Sequence, residues 1–146
     1  TMLNAAPASQ GADRLLQLTD ILVVNEVELA HFADTDVDPH DHGEVAKAVR
    51  RLRAFDGQIV IVTLGAAGLM AFAGDEELHV PGRKVNAIDT TGAGDCFTGS
   101  LAALLTQGAP LRDTLHFANA AASLSVQTEG AGPSMPARTR VDEVLT

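Results

Sequence analysis

Tryptophan and tyrosine are absent from the 146 residues, and phenylalanine occurs five times. A core without large rings must be filled by Ala, Val, Leu and Ile, which suits helices laid closely on a mostly parallel sheet. The single cysteine, Cys96, excludes an internal disulfide and agrees with a reducing compartment. No apolar run approaches the ~20 residues of a membrane-spanning helix. The first residues also lack the basic and apolar regions of a secretory signal. A cytoplasmic protein with no membrane partner is the expectation.

Positive charge is scarce as well. Ten Lys and Arg stand against 19 Asp and Glu, for a net charge of −9, and the cations are scattered along the chain. That pattern argues against nucleic acid as a partner, which requires a basic stripe. A single nucleotide remains compatible, because backbone N–H groups and metal ions can hold its phosphates. The length allows one domain with a sizeable core, and the composition favours the α/β class.

Periodicity predicts the elements. Leu15, Leu16 and Leu18 mark a helix, Ile21–Val24 a buried strand, and a short helix follows from Glu26 to Ala33. The polar run 34–43 reads as a surface loop. Val45, Ala48, Val49 and Leu52 fall at i, i+3, i+4 and i+7, the stripe of an amphipathic helix whose outer face carries Arg50, Arg51 and Arg53. Ile59–Thr63 is apolar throughout, as in a central parallel strand. Residues 68–73 and 77–80 form a hairpin pattern around Gly74-Asp75, and Lys84–Ile88 alternates like a half-buried strand. Long helices follow from Phe97 through Leu105 and over 111–128, and a short one carries Val141, Val144 and Leu145.

Between the alternating stretch and the helix containing Phe97 lies Asp89-Thr90-Thr91-Gly92-Ala93-Gly94-Asp95. A glycine-rich turn that opens a helix offers free N–H groups and a positive dipole end to an anion, and glycine lets that anion approach the main chain. Asp95 would stand beside it as a base. The plainer alternative is that the glycines turn the chain and Asp95 complements the helix dipole.

This run resembles the second signature of the ribokinase-like (PfkB) carbohydrate kinases, in which D-T-x-G-A-G-D begins the catalytic helix. The similarity continues, in order, through Asn4-Ala5-Ala6-Pro7, Asn25-Glu26-Val27-Glu28, Thr63-Leu64-Gly65-Ala66-Ala67-Gly68 and Gly130-Ala131-Gly132-Pro133-Ser134. It implies a three-layer α/β/α, Rossmann-like fold with a mostly parallel sheet. Whole members are about twice this length, a usual domain size. The chain therefore looks like the C-terminal half, without the N-terminal half and the β lid that hold most sugar contacts.

The resemblance implies an ATP-dependent phosphotransferase. Asp95 would be the base, and the N–H groups of Gly92, Ala93 and Gly94 the anion hole for the transferring phosphate. Thr63, Leu64, Gly65, Ala66, Ala67, Gly68 and Asn119 would contact the nucleotide, as would Gly94. Asn25 and Glu28 would lie near its phosphates and organise Mg²⁺ through water, although Asn at an N-cap with Glu three residues on is equally a capping box. Asp89, Thr91, Ser125, Thr128, Gly130 and Ser134 would offer oxygens to K⁺, a hard cation; a tight turn held by side-chain caps is the alternative. His40 and His42 read as polar loop residues, not metal ligands. Cys96 is not expected to be a nucleophile, because neighbouring Asp95 disfavours its thiolate. The implied partners are a nucleotide and a small sugar, with a homo-oligomer or a complementary N-terminal half as further candidates. A non-catalytic nucleotide-binding module, and a nucleoside or sugar-phosphate kinase of the same family, are alternatives.

Overall fold

The computed structural model describes residues 1–9 and 11–146, which form two compact units, Thr1–Pro81 and Gly82–Thr146. In the first unit the elements are β1 (Met2–Asn4), α1 (Asp13–Gln17), β2 (Ile21–Asn25), α2 (Glu26–Ala33), α3 (His42–Leu52), β3 (Ile59–Thr63), a 3₁₀ turn (Gly65–Ala67), β4 (Gly68–Ala73) and β5 (Glu76–Pro81). The strands lie in the order β1-β2-β3-β4-β5. The pairs β1–β2 and β2–β3 are parallel, whereas β3–β4 and β4–β5 are antiparallel. The sheet is therefore mixed and not mostly parallel, because the short connections 64–67 and 74–75 return the chain immediately, which only antiparallel pairs permit.

One face of the sheet presents Leu22, Val24, Val60, Val62, Met70 and Phe72, all buried in a cluster with Leu16, Leu29, Val45, Ala48, Val49 and Leu52 from the helices. Full burial of each such side chain stabilises by about 1.5–3 kcal/mol. The alternate positions Val23, Ile61 and Ala71 are buried too, which explains why β2 and β3 are continuously apolar. The helix α3 starts at His42, inside the expected loop, because the Asp41 carboxylate accepts from the N–H groups of Gly43 (2.8 Å) and Glu44 (3.1 Å).

Periodicity gave no sign of Gln58, which is 0% exposed. Its Nε2 donates to the carbonyls of Leu16 (2.7 Å) and Thr19 (2.8 Å), and its Oε1 accepts from Ala54 N (2.9 Å). One buried amide thus ties the connection entering β2 to the connection entering β3.

The second unit contains α4 (Ala93–Thr106), α5 (Leu111–Ser125) and α6 (Arg138–Leu145). The helices α4 and α5 pack along each other, and α6 packs on α5. Ala118, Ala120 and Ala121 are buried, so small side chains let the axes approach. The helix α5 ends at Ser125, three residues before the expected end, in a turn where Thr128 N donates to Ser125 O. Lys84–Ile88 is not a strand: it pairs with no ladder, and Val85 and Ile88 are exposed. Alternation is necessary for a half-buried strand but does not supply a neighbouring strand.

Gln58→Ala should lower the unfolding free energy by about 2–4 kcal/mol, because it leaves three backbone groups without their partner. Gln58→Glu should cost more at neutral pH, since its carboxylate would face two carbonyl oxygens. Urea unfolding midpoints check both; a Glu variant as stable as the parent would contradict this account.

Candidate active site

In the first unit the candidate nucleotide residues stand at the carboxyl ends of neighbouring parallel strands, the side on which open α/β sheets bind ligands. Asn25 and Thr63 are direct register partners in β2 and β3. Asn25 ends its strand and caps α2: its Oδ1 accepts from Glu28 N at 2.8 Å, while Glu28 Oε2 accepts from Asn25 N at 2.8 Å. The capping box is thus formed. Glu28 is only 6% exposed. Burial raises its carboxyl above the ordinary range, the Asn25 N–H opposes that rise, and Glu26 adds to it.

The chain leaves β3 through a closed turn. Leu64 N donates to Gly68 O at 2.8 Å and Ala67 N to Leu64 O at 3.0 Å. Positive φ at Gly65 (54°) and Gly68 (99°) accounts for both glycines by conformation alone. Leu64 is buried, while Gly65 and Ala66 are exposed at the tip.

In the second unit, Gly92 is the N-cap of α4 with φ 79°, and no side chain caps this helix. The helices α2 and α3, by contrast, are closed by Asn25 and Asp41. Helix geometry leaves the N–H groups of Gly94 and Asp95 without an intrahelical acceptor. The Ala93 N–H is shared with Thr90 O at 3.2 Å, so it is the least available of the expected donors. Asp95 lies in the first turn with its side chain exposed. It borders an open groove of about 380 Å³, lined also by Ser100 and Ala103 of α4, Phe117 of α5, and Met135. Gly94 has neither a positive φ nor a neighbour within 4 Å of where its Cβ would stand.

The oxygen-bearing residues gather on the loops flanking this turn. Asp89 Oδ1 accepts from Thr91 N (2.9 Å) and Oδ2 from Gly130 N (2.8 Å). Val126 O accepts from the N–H groups of Ile88 and Asp89. The hydroxyl of Ser125 donates to Ala122 O and that of Ser134 to Ala131 O. The expected caps are therefore present. Carboxylate, hydroxyl and carbonyl oxygens keep further lone pairs, so the donor set also suits a hard monovalent cation. Among the described residues no group of three or more His, Cys, Asp and Glu could hold a metal.

Asn119 is half-buried on α5. Cys96 is buried, and desolvation pushes its thiol up against the opposing hydrogen bonds of Ser125 and Ser100. The expected direction holds, but its cause is burial and not Asp95. His42 meets His79 across α3 and β5, with ring centroids 4.4 Å apart. Among the described residues no helix is long and apolar enough to cross a membrane.

Parallel strands with helices between them in the first unit, and a glycine-led helix start with a carboxylate in its first turn in the second, mark an α/β protein. The chain belongs to the pfkB family of carbohydrate kinases, whose pattern matches residues 1–138. It is similar to ribokinase from Staphylococcus aureus, 35% identical over 145 residues that cover 99% of this chain and 47% of that protein. The crystal structure of Thermotoga maritima ribokinase superposes with a TM-score of 0.86 at 33% identity, covering 99% of this chain and 48% of that one. Arabidopsis thaliana ribokinase complexed with ribose and ATP gives 0.82 at 35% identity, covering 92% and 43%. The fold is thus the α/β fold of the ribokinases, and the chain spans about half the length of the curated relatives it matches.

The Asp89 carboxyl is held below the ordinary aspartate range, first by the Gly130 N–H and then by the hydroxyl and N–H of Thr91. A depressed pKa means that the loop-to-loop link is complete above the unfolded value of ~3.9 and is lost as pH falls through the lower folded value. The Gly130 amide proton shift should therefore titrate with a midpoint below ~3.9; a midpoint at or above it would show that Asp89 gains nothing from these donors.

Proposed function

We propose that the protein carrying this chain is an ATP-dependent sugar kinase that transfers the γ-phosphoryl group to a hydroxyl of ribose or a similar small sugar. One observation carries most of the weight: Gly94 has no conformational or packing need to be glycine, yet it occupies an uncapped helix start beside Asp95. Glycine there leaves the main chain open to a ligand. The relatives support the same reaction, one of them having been crystallised with ribose and ATP.

Phosphoryl transfer is mostly positioning and charge stabilisation. In this reading Asp95 orients the sugar hydroxyl and takes its proton as the oxygen attacks. The N–H groups of Gly92 and Gly94, with that of Ala93 shared with Thr90, meet the charge that develops on the phosphoryl oxygens. The turn Thr63–Gly68 and Asn119 hold the nucleotide. Asn25 and Glu28 would help hold Mg²⁺ through water, while Asp89, Thr91, Ser125, Thr128, Gly130 and Ser134 would hold K⁺. When bound, these cations supply positive potential near the phosphates.

Sugar specificity belongs to the half of the relatives that this chain does not span, so a nucleoside or sugar-phosphate acceptor is an alternative within the same chemistry. The half-length span also favours a second reading, a nucleotide-binding module that works only with a complementary chain or a second copy. The isolated chain is expected to be inactive or feeble, and a cytoplasmic setting fits the ATP requirement.

In the intact enzyme, Asp95→Asn should lower kcat by about 10²- to 10⁴-fold while retaining nucleotide binding. ADP release with ribose, in K⁺ and in choline, measures this. Near-normal turnover would remove Asp95 from the base role, and indifference to the cation would remove the K⁺ assignment. Gly94→Ala separates folding from function: its Cβ meets nothing in the protein, and alanine favours a helix by up to ~1 kcal/mol. Its Tm should not fall, while kcat/KM should drop at least about tenfold. Unchanged kcat/KM would leave that glycine without the proposed role.

A further inference from the structure

Gly92 is constrained twice, and the second constraint leads outside the motif. Its φ of 79° disfavours any side chain. Independently, a Cβ there would stand 2.9 Å from the Cβ of Ala131 and 3.1 Å from its Cα. The turn that opens α4 therefore rests directly on Ala131. That residue is itself held from both sides. Gly130, at φ 87°, donates its N–H to Asp89, and Ala131 O accepts the Ser134 hydroxyl at 2.7 Å. The Val126 carbonyl adds a third tie, to the N–H groups of Ile88 and Asp89. Segment 126–134 thus forms a preset buttress beneath the turn, with the Ala131 methyl group at the closest point of contact and the Met135 methyl group 3.5 Å from where that Cβ would stand.

We propose that Ala131 is a positioning residue for the phosphate-binding turn. Its methyl group limits how far Gly92 can retreat, and so fixes where the N–H groups of Gly94 and Asp95 point. The proposal rests on the phosphate-binding reading given above. Side-chain size is the controlling property: alanine fits, a branched side chain must displace the turn, and glycine leaves it slack. Small displacements matter, because preorganised donors lose their value when they no longer aim at the developing charge.

The test uses the ¹⁵N-labelled chain with inorganic phosphate as the probe. Wild-type amide resonances of Gly92, Gly94 and Asp95 should move on titration. Ala131→Val should shift the same resonances without phosphate and weaken phosphate binding roughly tenfold, with the resonances of residues 1–81 unchanged. Ala131→Gly, which introduces no clash, should also weaken binding and decides the matter if the Val variant does not fold. Ala131→Ser, nearly equal in volume, should behave as wild type. If the Val and Gly variants bind phosphate as wild type does, the positioning role is overturned while the binding reading stands. If wild-type amides ignore phosphate, the binding reading falls and the proposal falls with it.

Discussion

The Asp89 carboxylate, with an amide donor on each oxygen, joins two stretches of chain forty-one residues apart in sequence. One stretch opens α4 and the other leaves α5. An exposed carboxylate that merely paired with a cation would be worth little, since water and salt screen such pairs. Backbone donors act differently here, because they fix loop geometry as well as charge. The contact of Gly92 with Ala131 rests on this link first, with the Ser134 hydroxyl and the Val126 carbonyl as further ties.

Helix starts in this molecule are closed in two ways, by a side chain at α2 and α3 and without one at α1, α4, α5 and α6. Asn25 and Asp41 satisfy the first turns of α2 and α3 from within the protein. The start of α4 has no such side chain, so its dipole and its N–H groups remain available to an anion. Position 94 departs from what helix stability alone would favour. On the proposed reading that departure fits a glycine kept for a ligand, whereas the backbone angles of Gly65 and Gly68 already explain those glycines.

Much of this was legible in the sequence, and the exceptions have physical causes. The Asp89–Asp95 run declared the family and the start of α4, because glycine and carboxylate spacing is a local property. The stripe of Val45, Ala48, Val49 and Leu52 declared α3 for the same reason. Lys84–Ile88 misled, since alternation is local whereas pairing requires a second strand. The β4–β5 return was legible as a hairpin around Gly74-Asp75, whereas the antiparallel β3–β4 pairing was not, because an apolar run reads alike for either strand direction. Gln58 gave no signal at all, and Ala131 appeared only as part of the Gly130–Ser134 run, because their contacts join residues distant in sequence. The Asn25–Glu28 spacing revealed the cap, while any role toward a nucleotide rests on family likeness.

The register of β2 and β3 sets both exit loops at one level, with Asn25 opposite Thr63. A strand is a ruler with divisions of about 3.3 Å, and neighbouring strands read the same scale. Deleting one residue within β3 would lower its exit loop by one division and exchange the two faces of the strand beyond the deletion. The two loops therefore cannot drift separately during divergence. Their sequences are free to change, apart from the turning glycines, while their spacing is inherited from the buried ladder beneath them.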